Sequence, residues 1–198
     1  MIVYVTDIKH HSPRLGYKVD TIILHATGNS SAKGALSHFR NPFSKVSAHY
    51  LIDKDGTIYA CVNEARAAWH AGKCFLPYAN QRSVGIELVN KNDGVDPYPD
   101  PQILALRQLI TEIKRRHPIR YLVSHAEIAK PKGRKSDPKG FDMETLRQWA
   151  KLSYTIDTPA AKQIATETAD EQPTLIALGD QQPQQVDTTA TEQHSRPC

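Results

Sequence analysis

Ser47-Ala48-His49-Tyr50-Leu51-Ile52-Asp53-Lys54-Asp55-Gly56-Thr57-Ile58-Tyr59-Ala60-Cys61 is the stretch that decides the fold. Two runs rich in β-branched, aromatic and apolar residues, 47–52 and 57–61, flank a short polar turn. Asp55-Gly56 supplies the positive φ that a tight hairpin turn needs, so the two runs are predicted to pair antiparallel. Upstream, Thr21-Ile22-Ile23-Leu24-His25 reads as a short buried strand. Downstream, Val84-Gly85-Ile86-Glu87-Leu88-Val89 and Tyr121-Leu122-Val123-Ser124 read the same way. Helices are predicted between them: residues 31–39, with Ser30 or Ser31 as the cap, and Met143 to Leu152 as a closing helix. A longer helix is predicted to start at Asp100-Pro101, with Asp100 capping and Pro101 at the first helical position. Its apolar stripe is Ile103, Leu106, Ile110 and Ile113, and it ends at Lys114-Arg115-Arg116-His117 before Pro118. Strands alternating with helices around one antiparallel hairpin predict an α/β fold, a mixed central β-sheet flanked by helices.

The chain has 198 residues, and its charge divides near Tyr154. Residues 155–198 carry seven acidic residues against Lys162 and Arg196, a net of −5, and contain no aromatic residue. Rich in Gln, Thr, Ala and Pro, this stretch buries too little apolar surface to offset its chain entropy, and is read as a disordered tail behind a domain at 1–154. A docking or export role is the other reading of the tail. The domain's own net charge of +9 favours polyanionic partners, with nucleic acid and the acidic cell wall as candidates. Its Lys and Arg do not alternate with aromatics as a base-stacking groove would require, which argues against nucleic acid. No uncharged apolar run approaches the roughly 20 residues of a membrane span, so no membrane insertion is expected. The first residues show no secretory leader pattern, and a cytoplasmic protein is expected. Cys61, Cys74 and Cys198 match no metal or redox spacing, so reduced thiols are expected, with Cys61–Cys74 pairing as the alternative.

Two histidines close predicted strands, His25 after Ile22-Ile23-Leu24 and His125 after Tyr121-Leu122-Val123-Ser124. Side chains at strand ends project into the cleft beyond the sheet, where ligands bind. Asp137 follows twelve residues after His125, in the basic loop Lys132-Gly133-Arg134-Lys135-Ser136-Asp137-Pro138. Two imidazoles and a carboxylate from separate segments could hold one Zn²⁺ with a fourth position open. Each residue alone has a bland reading, as a structural histidine or a turn aspartate. His10-His11 is read as solvated, and His38 and His49 as structural or surface residues.

Six blocks occur in order: Ile23-Leu24-His25-Ala26-Thr27, Val46-Ser47-Ala48-His49-Tyr50-Leu51-Ile52, Ala68-Trp69-His70-Ala71-Gly72, Ser83-Val84-Gly85-Ile86-Glu87-Leu88, Ser124-His125-Ala126-Glu127-Ile128-Ala129 and Gly133-Arg134-Lys135-Ser136-Asp137-Pro138. Over residues 20–150 the series resembles the zinc-dependent N-acetylmuramoyl-L-alanine amidases of type 2. These include AmpD-like enzymes, phage lysozyme-amidases and peptidoglycan recognition proteins. The resemblance implies that fold, a single Zn²⁺ on His25, His125 and Asp137, and hydrolysis of the amide joining the muramic acid lactyl group to L-alanine. It also implies Glu87 as general base, Lys135 as the cation steadying the developing oxyanion, and His70, Trp69 and Asn80 as substrate-cleft residues. Implied partners are peptidoglycan or muropeptides, with a monomer as the default state. Ala48 stands where phage lysozyme-amidases have a tyrosine, and Tyr50, two positions on, is not assigned to catalysis. Ala26 replaces an asparagine that contacts substrate in some recycling amidases, which points away from a preference for soluble anhydro-muropeptides. The alternative is a recognition module that binds peptidoglycan without cutting it. The setting is left open among cytoplasmic recycling, release to the wall by phage lysis, and specialised secretion.

Overall fold

A computed structural model describes residues 1–154, so the expected tail at 155–198 lies outside the described residues. Six strands form one mixed sheet: β1 (Ile2–Tyr4), β3 (Thr21–Ala26), β4 (Tyr50–Ile52), β5 (Ile58–Ala60), β7 (Ser83–Leu88) and β8 (Tyr121–Ser124). Their order is β1-β5-β4-β7-β3-β8. Only β4 and β5 pair antiparallel; the remaining neighbours are parallel. β2 (His11–Pro13) and β6 (Arg66–Ala68) form a separate antiparallel pair. The helices are α1 (Ala32–Arg40), α2 (Ala79–Arg82), α3 (Asp100–Arg116), α4 (His125–Ile128) and α5 (Met143–Ala150). The expected mixed sheet flanked by helices is therefore the observed architecture.

The hairpin turns at Gly56, whose φ of +86° no L side chain adopts easily. Its first strand is shorter than the sequence implies, because the Ser47 N–H leaves the ladder and donates to the Trp69 carbonyl at 3.0 Å. Ser31 caps α1, its side chain accepting from the Gly34 N–H. Asp100 does not cap α3. The helix already includes it, Pro99 holds the cap position, and Asp100 contributes its negative charge at the helix's positive end. Gln102, fully buried, donates from Nε2 to the carbonyls of Ile52 and Val89, tying the start of α3 to the ends of β4 and β7.

Successive strand residues point to opposite faces, and this parity divides the core. Ile22 and Leu24 of β3, with Val84, Ile86 and Leu88 of β7, pack on Leu106, Ile110 and Ile113 of α3 and Leu146 of α5. The intervening residue Ile23 packs on the other side with Val123, Ala71, Leu76 and Ile128. Leu51 joins α1 on that second side through Leu36 and Phe39. Residues of β3 and β7 that share the parity of Ile23, among them His25 and Glu87, therefore face away from α3.

Candidate metal centre

The register of the sheet assembles the site. β3 and β7 pair so that His25 lies directly opposite Glu87. β8 pairs with β3 as far as Leu24↔Ser124, so the next residue, His125, emerges beside His25. His125 does not end the strand as the sequence suggests. Ser124 is the cap of α4, in a reciprocal pair of hydrogen bonds with Glu127, and His125 is the first residue of that short helix. The loop carrying Asp137 is pinned back by the Ala126 N–H, which donates to the Asp137 carbonyl at 2.9 Å.

Three ligand atoms converge. His25 Nδ1 and His125 Nδ1 are 3.0 Å apart, His125 Nδ1 is 3.0 Å from Asp137 Oδ2, and His25 Nδ1 is 3.3 Å from the same oxygen. Tetrahedral ligand bonds of about 2.0–2.1 Å set donor atoms about 3.3 Å apart, so the spacing suits one four-coordinate metal ion. The proton placement suits it too. His125 Nε2 lies 3.1 Å from the Ala71 carbonyl, which can only accept, so the ring proton sits on Nε2 and Nδ1 is a bare lone pair. Burial, with His125 adding to it, pushes the His25 imidazole down to about 4 despite Asp137, so it is neutral near pH 7. Burial would raise Asp137, but the two histidines hold it well below the carboxylate range, and it stays ionised. All three residues are buried. A carboxylate and two imidazole nitrogens crowded into one buried spot are what a cation requires.

The group lies in a cleft of roughly 240 Å³ that Glu87, Lys135, Trp69 and His70 also line. Glu87 is partly buried, and its Oε2 is sealed from solvent with no hydrogen-bond partner. Burial first, and Asp137 second, push its carboxyl up to about 8, with Lys135 opposing. Trp69 lies on the cleft wall beside the His10 ring and donates from its indole N–H to Ser12 Oγ at 3.4 Å. His70 is only 8% exposed, wedged between His25 and Ser83, and burial keeps its imidazole neutral. Asn80 does not line the cleft. Its Oδ1 accepts from the N–H groups of His70 and Ala71 at 3.2 and 2.9 Å, bracing that loop.

Sequence reasoning overlooked several residues here. Thr27, Asn29 and His38 border the cleft. Ser83 and Gly85 share the face of Glu87, a pattern visible as alternation along Ser83-Val84-Gly85-Ile86-Glu87. His10, read as solvated, is 9% exposed with Nε2 2.9 Å from the Asn41 carbonyl. His49 is fully buried, its Nδ1 accepting from the Gly85 N–H. Tyr50 donates its hydroxyl proton to Glu64 at 2.5 Å. Cys61 and Cys74 are free thiols in separate apolar clusters, so the pairing alternative does not hold. Among the described residues no helix is long and apolar enough to cross a membrane.

Comparison with known proteins bears on this geometry. Residues 15–140 match the family described as N-acetylmuramoyl-L-alanine amidase. A 1,6-anhydro-N-acetylmuramyl-L-alanine amidase AmpD of Haemophilus influenzae is 38% identical over 112 residues, covering 50% of this chain and 56% of that protein. The amidase CwlA of Bacillus subtilis is 29% identical over 100 residues, 50% of this chain and 36% of that protein. The chain thus spans about half, or less, of the length of these curated relatives. Among solved structures, a complex of the Escherichia coli amidase AmiD with an anhydro-N-acetylmuramic acid peptide superposes with a TM-score of 0.60 at 28% identity, over 82% of this chain and 66% of that one.

Proposed function

Because the chain belongs to the N-acetylmuramoyl-L-alanine amidase family, we propose that it is a zinc hydrolase of peptidoglycan or muropeptides, cleaving the amide between the muramic acid lactyl group and L-alanine. The observation that carries this reading is the convergence of His25 Nδ1, His125 Nδ1 and Asp137 Oδ2 within 3.0–3.3 Å at the floor of a cleft. Nitrogen, nitrogen and carboxylate oxygen are a donor set suited to zinc, and three protein ligands leave a fourth position free. Bound there, zinc would supply a polarising charge for the scissile carbonyl and acidify water.

Glu87 would act as general base. Its half-buried carboxylate shares the cleft with the ligands and has one oxygen committed to no other partner. Ionised beside a bound cation, this carboxylate would accept a proton from water and return it to the departing L-alanine nitrogen. Lys135, two residues before Asp137 and lining the same cleft, would place a cation where negative charge grows on the carbonyl oxygen. Trp69 would offer a flat apolar surface to the glycan or peptide. The positive charge of residues 1–154 would draw the chain towards an anionic wall.

The test is digestion of intact sacculi and of soluble anhydro-muropeptides by purified, zinc-loaded chain, with and without chelator. Mass spectrometry of the products should find free stem peptides with an L-alanine amino terminus, and chelator should abolish them. Folded, zinc-loaded protein that releases no stem peptide from either substrate would overturn the proposal.

A further inference from the structure

We propose that His70 and Ser83 are positioning residues for the metal centre: with the Ala71 carbonyl, they hold the ring protons of both ligand histidines on Nε2, so that each presents a bare Nδ1. This rests on the reading of His25, His125 and Asp137 as metal ligands.

The argument starts from the carbonyl of Ala79, which can only accept. Ser83 Oγ lies 2.5 Å from it, so the single hydroxyl proton of Ser83 is committed there. Oγ then offers only lone pairs to His70 Nε2, 3.2 Å away, and His70 must donate from Nε2. A neutral imidazole carries one ring proton, which makes His70 Nδ1 an acceptor. That atom faces His25 Nε2 at 3.0 Å. His25 therefore donates from Nε2 and leaves Nδ1 bare, facing His125 Nδ1 and Asp137 Oδ2. His125 reaches the same state directly through the Ala71 carbonyl. Two consecutive residues, His70 and Ala71, thus set the tautomers of both ligands, although those ligands are 100 residues apart in sequence.

The surroundings hold this pair in place. Asn80 Oδ1 accepts from both of their backbone N–H groups. Gly85 provides the clearance: a Cβ built on it would lie 2.5 Å from Cγ and Nδ1 of His70, closer than such atoms ever approach. Ser83, Gly85 and Glu87 are alternate residues of β7, on one face of the sheet. One strand face therefore carries the anchor of the relay, the space for its ring and the base candidate. His70, which also lines the cleft, faces a metal ligand directly, and Asn80 braces the loop that carries it.

The experiment uses the full chain and zinc alone, with no substrate. Long-range proton–nitrogen NMR spectra of the zinc-loaded parent should show His70 protonated on Nε2, and Ser83→Ala should convert it to a mixture of tautomers. In competition with a chelator, His70→Leu should bind zinc about 10–100-fold more weakly. His70→Asn, whose Oδ1 can stand where Nδ1 stood, should recover most of that loss. If His70→Leu does not fold, the tautomer of His70 in the parent and in Ser83→Ala decides the matter. A folded, zinc-loaded parent with His70 protonated on Nδ1, or zinc affinities within about twofold across folded variants, overturns the proposal while leaving the metal reading intact. A folded parent that binds no zinc overturns the metal reading, and this proposal with it.

Discussion

Replacing Glu87 by Gln separates the group's chemical role from the cost of keeping it in the cleft. The substitution preserves shape and removes the charge. In the metal-free chain, burial and the nearby Asp137 raise the Glu87 carboxyl from an ordinary 4.5 to about 8. A carboxyl whose folded value lies above its unfolded value destabilises the fold once it must ionise. The penalty is small at or below pH 4.5, grows as pH rises, and levels off above pH 8. With about 1.4 kcal/mol for each unit, the penalty comes to about 1 kcal/mol at pH 5 and about 3 kcal/mol at pH 7. Glu87→Gln should therefore gain about 2–3 kcal/mol on the parent between pH 5 and pH 7, a large fraction of a native stability of about 5–15 kcal/mol. Taking the difference between two pH values cancels the cost of burying the new amide, which does not titrate. The assay is urea unfolding of both proteins with chelator present. In parallel, zinc-loaded Glu87→Gln should keep its metal and lose about 10²–10⁴-fold in turnover. Stability curves that run parallel from pH 5 to pH 7 would refute the burial argument, and parent-like turnover would refute the base.

Asp137→Ala should lower zinc affinity by more than about 100-fold, beyond what loss of an outer hydrogen-bond partner costs, as measured by chelator competition. Gly85→Ala should cost about 1–3 kcal/mol in thermal or urea unfolding and weaken zinc binding, because the His70 ring is held on both sides and cannot retreat from the new methyl. Away from the site, burial alone would raise Glu64, but hydrogen bonds from Arg116, Tyr50 and His117 bring its carboxyl down to about 2 from 4.5. Its stabilising effect is complete above the unfolded value and fades as pH falls towards 2, from about 3 kcal/mol at pH 7 to about 1 kcal/mol at pH 3. The stability gap between the parent and Glu64→Gln should accordingly narrow by about 2 kcal/mol between pH 7 and pH 3 in urea titrations.

Local patterns carried much of the architecture. A β-branched run before His25, an Asp-Gly turn between two apolar runs, and a stripe ending in Lys114-Arg115-Arg116 each encode their element within a few residues. Propensity and periodicity act over that range, so these elements were readable. Three-residue strands such as β1, β2 and β6 were not, because they form only when a partner strand supplies the other half of the ladder. The start of α3 at Asp100 is where the sequence places it, but its cap and the α4 turn at His125 differ from the sequence reading. Pro99, one residue before Asp100, holds the cap of α3, and Ser124-His125-Ala126-Glu127 is a capping box written within four residues, a local signal the sequence reading passed over.

By itself the sequence determined the element types, the basic character of residues 1–154 and the residue types able to grip a metal. Only the tertiary structure decided which atoms meet. Register across β3, β7 and β8 sets Glu87 opposite His25 and brings His125 alongside, a result of long-range pairing that no local window contains. It also decided that His70 and Asn80 turn towards the ligands and the loop backbone. Hydrogen-bond direction depends on what lies across the gap, and for these side chains the partners come from other segments of the chain.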